Sequence, residues 1–296
     1  MKPFGRATAF GVALFGIATF CLMDVFMKRL TLGYGAYAAM LWRSGASVAV
    51  AARPYGAVRG AWPTAASLRL HVVRGTVNLV MALLYFWGLA RVPMAQAIAL
   101  AFIAPLIALL LAALILHEHI GRRTLFAAAT AFAGVLVIVA GQAVAAPAPG
   151  LFRGAIAILC SAICYAWNLI LMRQQALLAK PLEIVFFQNL VIFTLMLIAA
   201  PWLGSVPASA QLPEILAAGI LAIVSLLLLS WAYARAEASY LVTSEYSGFL
   251  WAALFGFLFF GEQVSPWTSA GAVLIVSGCA IAARSRPHPP APGELP

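Results

Sequence analysis

The sequence predicts an all-α integral membrane protein in which ten transmembrane helices form two inverted five-helix repeats around a central cavity. The first observation is composition, since 65% of the 296 residues are hydrophobic and only 9% are charged. Soluble domains contain about 45–50% apolar and about 25% charged residues, and a fold of this size leaves roughly a quarter of its chain surface in water. The mean hydropathy is +1.02, and a soluble fold is therefore excluded.

The second observation is a series of apolar windows, each long enough to cross a bilayer and each ended by glycine, proline or charged residues. In order, the ten windows are residues 8–27, 36–52, 70–90, 94–116, 124–141, 154–172, 183–203, 214–234, 240–260 and 267–283. The first apolar run exceeds the core of a signal peptide, so we expect it to be retained as a span. The proline-rich segment 286–296 cannot pack, and we expect a disordered cytoplasmic tail.

The distribution of basic residues gives the orientation. With the N-terminus in the cytoplasm, thirteen of the 18 lysines and arginines lie on the cytoplasmic side and four lie outside. The positive-inside rule then places both termini in the cytoplasm, and we expect a multi-pass protein of a bacterial-type plasma (inner) membrane. The net charge of +10 follows from this topology, so nucleic acid is not an expected partner.

The third observation is an internal repeat, since a shift of 144 residues places residues 89–140 on 233–284. Coinciding charged residues carry the most information because charges are rare in this chain. They are Arg91 with Arg235 and Glu118 with Glu262.

The repeat predicts a first five-helix domain over residues 1–146 and a second over 147–285. Because five is an odd number of crossings, the second domain must enter the membrane from the opposite side. Secondary transporters built from inverted repeats bind substrate near the membrane midplane, where the repeats meet. The alternative is that the duplication only builds a stable bundle.

Several short motifs occur in a characteristic order along the ten predicted spans. They are Asp24-Val25-Phe26-Met27-Lys28, Trp42-Arg43, Arg74-Gly75, the block from Ala104-Pro105 to Glu118-His119-Ile120, and Gly261-Glu262-Gln263. With these motifs the chain resembles the drug/metabolite transporter superfamily, in particular its ten-span EamA-type members. The resemblance implies a transporter of small organic solutes that works without ATP and has two five-helix halves around a central cavity.

Four ionisable residues at membrane depth are candidate functional groups, because charges there cost a few kcal/mol. We expect Arg43 to bind a substrate carboxylate, since its planar guanidinium forms two parallel hydrogen bonds with carboxylates. Asp24 or Glu245 would hold an amine or take up a coupling proton. The structural alternative is that Asp24 pairs with Arg43, and Arg74 with Glu245, as fixed charges between helices.

Polar and aromatic residues recur at helical spacing on several spans. We expect them to line a shared cavity, because a buried polar group needs a partner or water. The predicted substrate-binding residues are Arg43, Arg74, Asn78, Tyr85, Tyr165, Trp167, Asn168, Trp231, Tyr233 and Tyr246. Aromatic rings suit flat or cationic solutes, whereas adhesion between helices is the alternative for each polar stripe.

Other notable residues have structural interpretations. Glu118 and Glu262 each precede a helix, and we expect their carboxylates to cap its N-terminal amides. Pro105 removes a backbone hydrogen bond inside the fourth span, so we expect a gating bend there. His117 and His119 flank Glu118 but point about 200° apart on a helix, and we expect neither a metal site nor a cofactor.

The favoured function is a secondary transporter that exports amino acids or related zwitterionic or cationic solutes by alternating access. The resemblance also leaves open an importer of S-adenosylmethionine-, riboflavin- or nucleoside-like metabolites. An integral-membrane enzyme is a remote alternative, because the eight acidic residues are scattered along the chain. The expected partners are a small-molecule substrate and the bilayer. Whether a proton is coupled to transport, and whether the protein is a monomer or a homodimer, are left open.

Overall fold

The computed structural model describes residues 6–57, 63–104, 106–107, 111, 122–144, 150–176, 178–233, 235 and 244–283. Its helices are α1 (Arg6–Ala57), α2 (Ala65–Leu89), α3 (Met94–Ala101), α4 (Arg122–Val144), α5 (Leu151–Ala176), α6 (Pro181–Leu203), α7 (Leu212–Tyr233), α8 (Ser247–Phe260) and α9 (Pro266–Ala283). A short 3-10 turn, Ser209–Gln211, precedes α7. The described ranges contain no β-strand, and the prediction of an all-α membrane fold is confirmed.

Five described stretches are long and apolar enough to cross a membrane. They are Thr8–Ala57, Ala65–Leu89, Leu151–Asn168, Leu182–Leu203 and Ser209–Ala232, and two shorter apolar helices cover Leu125–Gly141 and Ser247–Phe260. Large apolar side chains such as Phe15 and Phe126 remain 64% and 65% exposed on these helices. An apolar exterior of this kind is suited to lipid, because lipid tails solvate it as well as a protein core does.

Helix α1 contains the first two predicted windows. Gly35 has φ 81° and ψ 159°, which interrupts the helix between a first segment, residues 6–34, and a second segment, residues 36–57. Glycine occupies this conformation because it has no Cβ atom to clash with the backbone. The interruption coincides with the break predicted from the glycines near residues 33–35.

The helices pack with approximate twofold symmetry. Exchanging the two predicted repeats replaces the first and second segments of α1 by α5 and α6, and replaces α2, α3 and α4 by α7, α8 and α9. Helix α1 packs on α7 just as α2 packs on α5, while the pairs α1–α6, α3–α8 and α4–α9 map onto themselves. Such reciprocal contacts are what a twofold pseudo-axis between two related units produces.

The same symmetry extends to individual side chains. The Arg91 guanidinium lies 3.5 Å from the centre of the Trp87 ring and donates to the Trp87 carbonyl. At positions 144 residues later, the Arg235 guanidinium lies 4.2 Å from the Trp231 ring and donates to the Trp231 carbonyl. Each arginine therefore stacks on the tryptophan one helical turn before it, at equivalent positions in the two repeats.

Glycines permit close backbone contacts between packed helices. A Cβ atom on Gly88 of α2 would lie 2.7 Å from the carbonyl oxygen of Gly154 in α5. A Cβ atom on Gly134 of α4 would lie 2.6 Å from the carbonyl oxygen of Gly271 in α9. Small residues at such crossings let membrane helices approach closely, which maximises dispersion contacts where no hydrophobic effect acts between helices.

Candidate functional site

Two buried charged side chains and a partly buried tyrosine meet where both segments of α1 approach α2. Asp24 lies on the first segment, Arg43 on the second and Tyr85 on α2, and the Tyr85 hydroxyl donates to Asp24 Oδ2 at 3.0 Å. Asp24 is fully buried and Arg43 is 8% exposed. The Arg43 guanidinium lies 5.9 Å from the centre of the Phe86 ring. We call Asp24, Arg43 and Tyr85 the central site.

The charged groups of the central site are incompletely satisfied. Among the described residues, no group forms a hydrogen bond with the buried atoms Asp24 Oδ1 and Arg43 Nε. The two residues are within electrostatic range of each other, but in the described structure no hydrogen bond joins them. Because an unpaired buried polar atom costs about 1–3 kcal/mol, the arrangement favours a ligand that offers one donor and one acceptor.

Two broken helices meet close to the central site. Helix α3 ends at Ala101, and a turn at residues 102–103 follows it. In the second repeat a turn at Tyr246, which the 144-residue shift pairs with Phe102, precedes α8, and the rings of these two residues contact edge to face at 5.6 Å between centroids. Cys21, one turn before Asp24, donates to the carbonyl of Gly248 just after this break.

The break in the first repeat has a sequence cause. Pro105 has no N–H group to donate to the carbonyl of residue 101, and its ring disfavours a continuous helix before it. Interrupted helices at equivalent positions in two repeats commonly mark the binding site of a transporter, since they expose backbone polar groups to a cavity.

Arg74 donates to two amide side chains of α5. Its Nε donates to Asn168 Oδ1 at 3.0 Å, and its Nη1 donates to Gln175 Oε1. These amides are partners that the sequence did not predict, and the Arg74–Glu245 ion pair stays a prediction. Helix α5 packs along α2, and its residues 168 and 175 are two turns apart, so both amides reach the same guanidinium.

A buried ion pair joins α1 to the turns before α3 and after α8. Lys28 Nζ donates to Glu262 Oε1 at 2.5 Å and to the carbonyl of Val92 at 2.7 Å. Glu262 Oε2 accepts from the backbone N–H of Met94 at 2.7 Å. We call Lys28 and Glu262 the outer ion pair, because both lie on the predicted external side.

Glu262 thus caps a different helix from the predicted one. We expected it to cap α9, which follows it, but its carboxylate binds the first amide of α3. The cause is Gly261, whose left-handed conformation at φ 66° ends α8 and turns the chain towards α3. At α9, the side chain of Ser265 accepts from the N–H of Thr268 instead.

The remaining predicted residues are dispersed. Asn78 is buried on the same face of α2 as Arg74, whereas Tyr165 and Trp167 are 38% and 44% exposed. The charges of Arg74 and Glu245 both act on the Tyr165 hydroxyl, which places Tyr165 near the Arg74 amide contacts. Trp231 stacks on Arg235 as described above. Pro105, Glu118 and the side chain of Tyr233 lie outside the described part of the chain.

Sequence reasoning missed the polar side chains around His71, which lie beside Arg74. His71 is fully buried on α2, and its Nε2 lies 3.1 Å from Glu183 Oε1 and 3.2 Å from Ser67 Oγ. Its Nδ1 lies 2.6 Å from Gln175 Nε2. The helical spacing of residues 67, 71, 74 and 78 was a usable signal, because these positions share one face of a helix.

The chain is similar to known transporters over most of its length. The model of the EamA-like transporter family matches residues 8–140 and 152–284. A pseudopaline exporter of Pseudomonas aeruginosa strain UCBPP-PA14 is 30% identical over 218 residues, which are 73% of this chain and 75% of that protein. A riboflavin transporter of Rhizobium johnstonii is 30% identical over 280 residues, covering 91% of this chain and 88% of that protein.

A solved crystal structure also matches the fold. It superposes with a TM-score of 0.59 at 19% sequence identity, and the match covers 94% of this chain and 97% of the other. At this identity the likeness concerns the fold alone. Two family matches that together span both repeats are sufficient for assignment, and the chain belongs to the EamA-like transporter family.

Proposed function

We propose that the chain is a secondary transporter that exports amino acids or related small zwitterionic or cationic solutes by alternating access. The observation that carries this proposal is the central site, where one buried carboxylate oxygen and one buried guanidinium N–H lack partners within the described part of the chain. A zwitterion supplies the complementary groups, because its carboxylate accepts from Arg43 Nε and its ammonium donates to Asp24 Oδ1. Tyr85 holds the other oxygen of Asp24 and so fixes the orientation of that carboxylate.

Alternating access is supported by the symmetric packing. The helix pairs that map onto themselves lie on the pseudo-axis, so the two repeats can exchange conformations and open the central site to one side and then the other. We propose no catalytic step. We place the protein in a bacterial inner membrane with both termini in the cytoplasm, in keeping with its bacterial relatives.

Export is favoured by the relative named as a pseudopaline exporter. A second candidate is uptake of a flat heteroaromatic metabolite, which is favoured by the riboflavin transporter whose match covers 91% of this chain. The ring of Phe86 beside Arg43 is compatible with either class of solute.

The test is flux through the purified protein in proteoliposomes of determined orientation. Labelled amino acids, quaternary amines, S-adenosylmethionine and riboflavin are assayed in both directions. For the best zwitterion, Arg43→Gln should weaken apparent affinity by about 10- to 100-fold, because a hydrogen bond to a charged group contributes about 1.5–3 kcal/mol. Arg43→Lys should be intermediate, since lysine keeps the charge but lacks the planar fork.

The matched control is Arg29→Gln, because Arg29 is half exposed and pairs with Glu214 at 3.2 Å away from the central site. It should leave affinity unchanged. If Arg43→Gln and Arg29→Gln transport the zwitterion equally well, the assignment of the central site fails. If riboflavin moves and no zwitterion does, the second candidate replaces the first.

A further inference from the structure

In the network around His71, the chemistry of the side chains determines which groups donate hydrogen bonds and which accept them. Arg74 has only donors, so the Gln175 side chain must turn its oxygen towards Arg74 Nη1 and its NH2 group towards His71. The Gln175 NH2 group then donates to His71 Nδ1 at 2.6 Å. His71 is therefore neutral with its proton on Nε2, where it faces Glu183 Oε1 at 3.1 Å.

An added proton would have to bind Nδ1, because Nε2 already carries one. Nδ1–H and the Gln175 NH2 group are both donors, so the amide would have to turn its oxygen to His71. Arg74 Nη1 would then face the NH2 group and lose its acceptor. Protonation of His71 and the Gln175–Arg74 hydrogen bond consequently exclude each other, and the imidazolium also adds a positive charge close to Arg74.

The network ties three helices together at one end of the bundle. Ser67, His71 and Arg74 belong to α2, Gln175 belongs to α5, and Glu183 lies in the first turn of α6. Both ends of the outer ion pair lie on the opposite predicted side of the membrane. Breaking the Gln175–Arg74 bond therefore loosens the packing on the predicted cytoplasmic side alone.

The charged groups that face His71 are few. Among the described residues they are Glu183 of α6 and, through Gln175, Arg74 of its own helix. From α1, Tyr55 contacts the edge of Phe187 at 5.6 Å, and the His71 ring stacks on the same Phe187 at 5.0 Å. Glu183 is 17% exposed at its side chain, so its carboxylate lies between His71 Nε2 and the water at the predicted cytoplasmic end.

We propose that His71 is a proton-binding site that couples transport to the proton gradient. A proton taken from water adds to Nδ1, the Gln175–Arg74 hydrogen bond is lost, and the state open to the cytoplasm is favoured. In an exporter, a proton that enters from outside is then released inside in exchange for a substrate molecule. This inference rests on the proposed transport function.

The first test is independent of transport. The full chain in lipid nanodiscs, with His117, His119 and His288 replaced by glutamine, is labelled with 15N at histidine and arginine and titrated by NMR. We expect the neutral imidazole to carry its proton on Nε2, and Arg74 signals to change at the pH where Nδ1 becomes protonated. The proposal would be overturned if neutral His71 carried its proton on Nδ1. It would also be overturned if the Arg74 signals did not change when His71 is protonated.

The second test is flux under an imposed pH gradient, with the best substrate of the panel above. The gradient should stimulate the wild type by about fivefold or more, the lower range of typical coupling between sites. His71→Gln should lose this stimulation because its amide takes no proton near neutral pH. Gln175→Glu should lose it too, because a carboxylate accepts from both Arg74 and a protonated His71.

The control His288→Gln should keep the stimulation. A purely structural role of His71 would reduce flux with and without the gradient by the same factor, and that result contradicts the proposal. If no compound of the panel is transported while the NMR titration behaves as expected, the proposed function fails and the proton site stands. If flux is measurable but His71→Gln responds to the gradient like the wild type, only the coupling role fails.

Discussion

At the scale of single residues, the buried charges are distinguished by how completely they are satisfied. Lys28 and Glu262 share a short ion pair, the same Lys28 ammonium also donates to the Val92 carbonyl, and the second Glu262 oxygen accepts from the Met94 N–H. Asp24 and Arg43 each retain an atom that no other described residue binds. Complete satisfaction is typical of a structural contact, whereas incomplete satisfaction leaves atoms available for a ligand.

We predict that Lys28→Met destabilises the protein by about 3–5 kcal/mol, because it leaves the largely buried Glu262 carboxylate without its counter-ion. The measurement is thermal unfolding of the purified protein in detergent. The control is Arg29→Met, which breaks an exposed pair with Glu214 and should cost at most about 1 kcal/mol. Equal effects of the two substitutions would show that the outer ion pair is not structural.

At the scale of helices, the close contacts and the interruptions have separate roles. Close glycine contacts fix α2 on α5 and α4 on α9. The turns at Phe102 and Tyr246 interrupt the two helical regions that face each other across the pseudo-axis. The first feature holds the helices together, and the second places two helix interruptions next to the central site.

Gly134→Ala should destabilise the protein by about 1–3 kcal/mol, because its Cβ would lie 2.6 Å from a backbone oxygen that cannot move away independently of its helix. Unfolding in detergent measures the effect. Gly11→Ala is the matched control, since Gly11 lies in a helix and its Cβ would meet nothing within 4 Å. It should be neutral or slightly stabilising, because alanine has the higher helix propensity.

Pro105→Ala tests the interruption in the first repeat. Alanine supplies the N–H group that proline lacks, so the helix after Ala101 can continue and the hinge stiffens. We expect transport of the best substrate to slow without loss of thermal stability. The control is Pro213→Ala, because Pro213 is exposed in the first turn of α7, where it replaces no helical hydrogen bond. Unchanged flux in Pro105→Ala would argue against gating at this bend.

At the scale of the whole molecule, the polar groups occupy different levels of the bundle. The outer ion pair lies at one end, the central site lies between, and the His71 group lies at the other end. The pairs Tyr34–Gln211 and Trp42–Ser205 also join segments predicted to lie on one side. The structure thus brings together segments that the charge distribution assigns to the same side of the membrane.

This arrangement predicts the accessibility of single cysteines in a variant without the native ones. Arg29→Cys should react with a membrane-impermeant thiol reagent from the periplasm, and Arg69→Cys should react only from the cytoplasm, because both positions are exposed but lie on opposite predicted sides. Intact cells and inside-out vesicles provide the two measurements. Labelling of both positions from the same side would contradict the inverted topology.

Much of the fold was predictable because it depends on local properties of the chain. Hydropathy located the apolar helices, and the glycines near residues 33–35 predicted the interruption at Gly35, since positive φ requires a residue without a side chain. The 144-residue shift predicted equivalent positions that carry the same Arg–Trp contact. The prediction of family membership followed from motifs whose order is also a property of the sequence.

The partners of the buried charges were decided only by tertiary structure. Lys28 binds Glu262, which is 234 positions away, and Arg74 binds Asn168 and Gln175 of α5. The partners of His71 were decided by the packing of α5 and α6 against α2, which brings Gln175 and Glu183 to its ring. Hydropathy and periodicity assign a residue to a helix and to a face, but they do not specify which other helix covers that face. That choice depends on close packing between distant segments, and in the described part of this protein the packing determines which charged atoms find a partner.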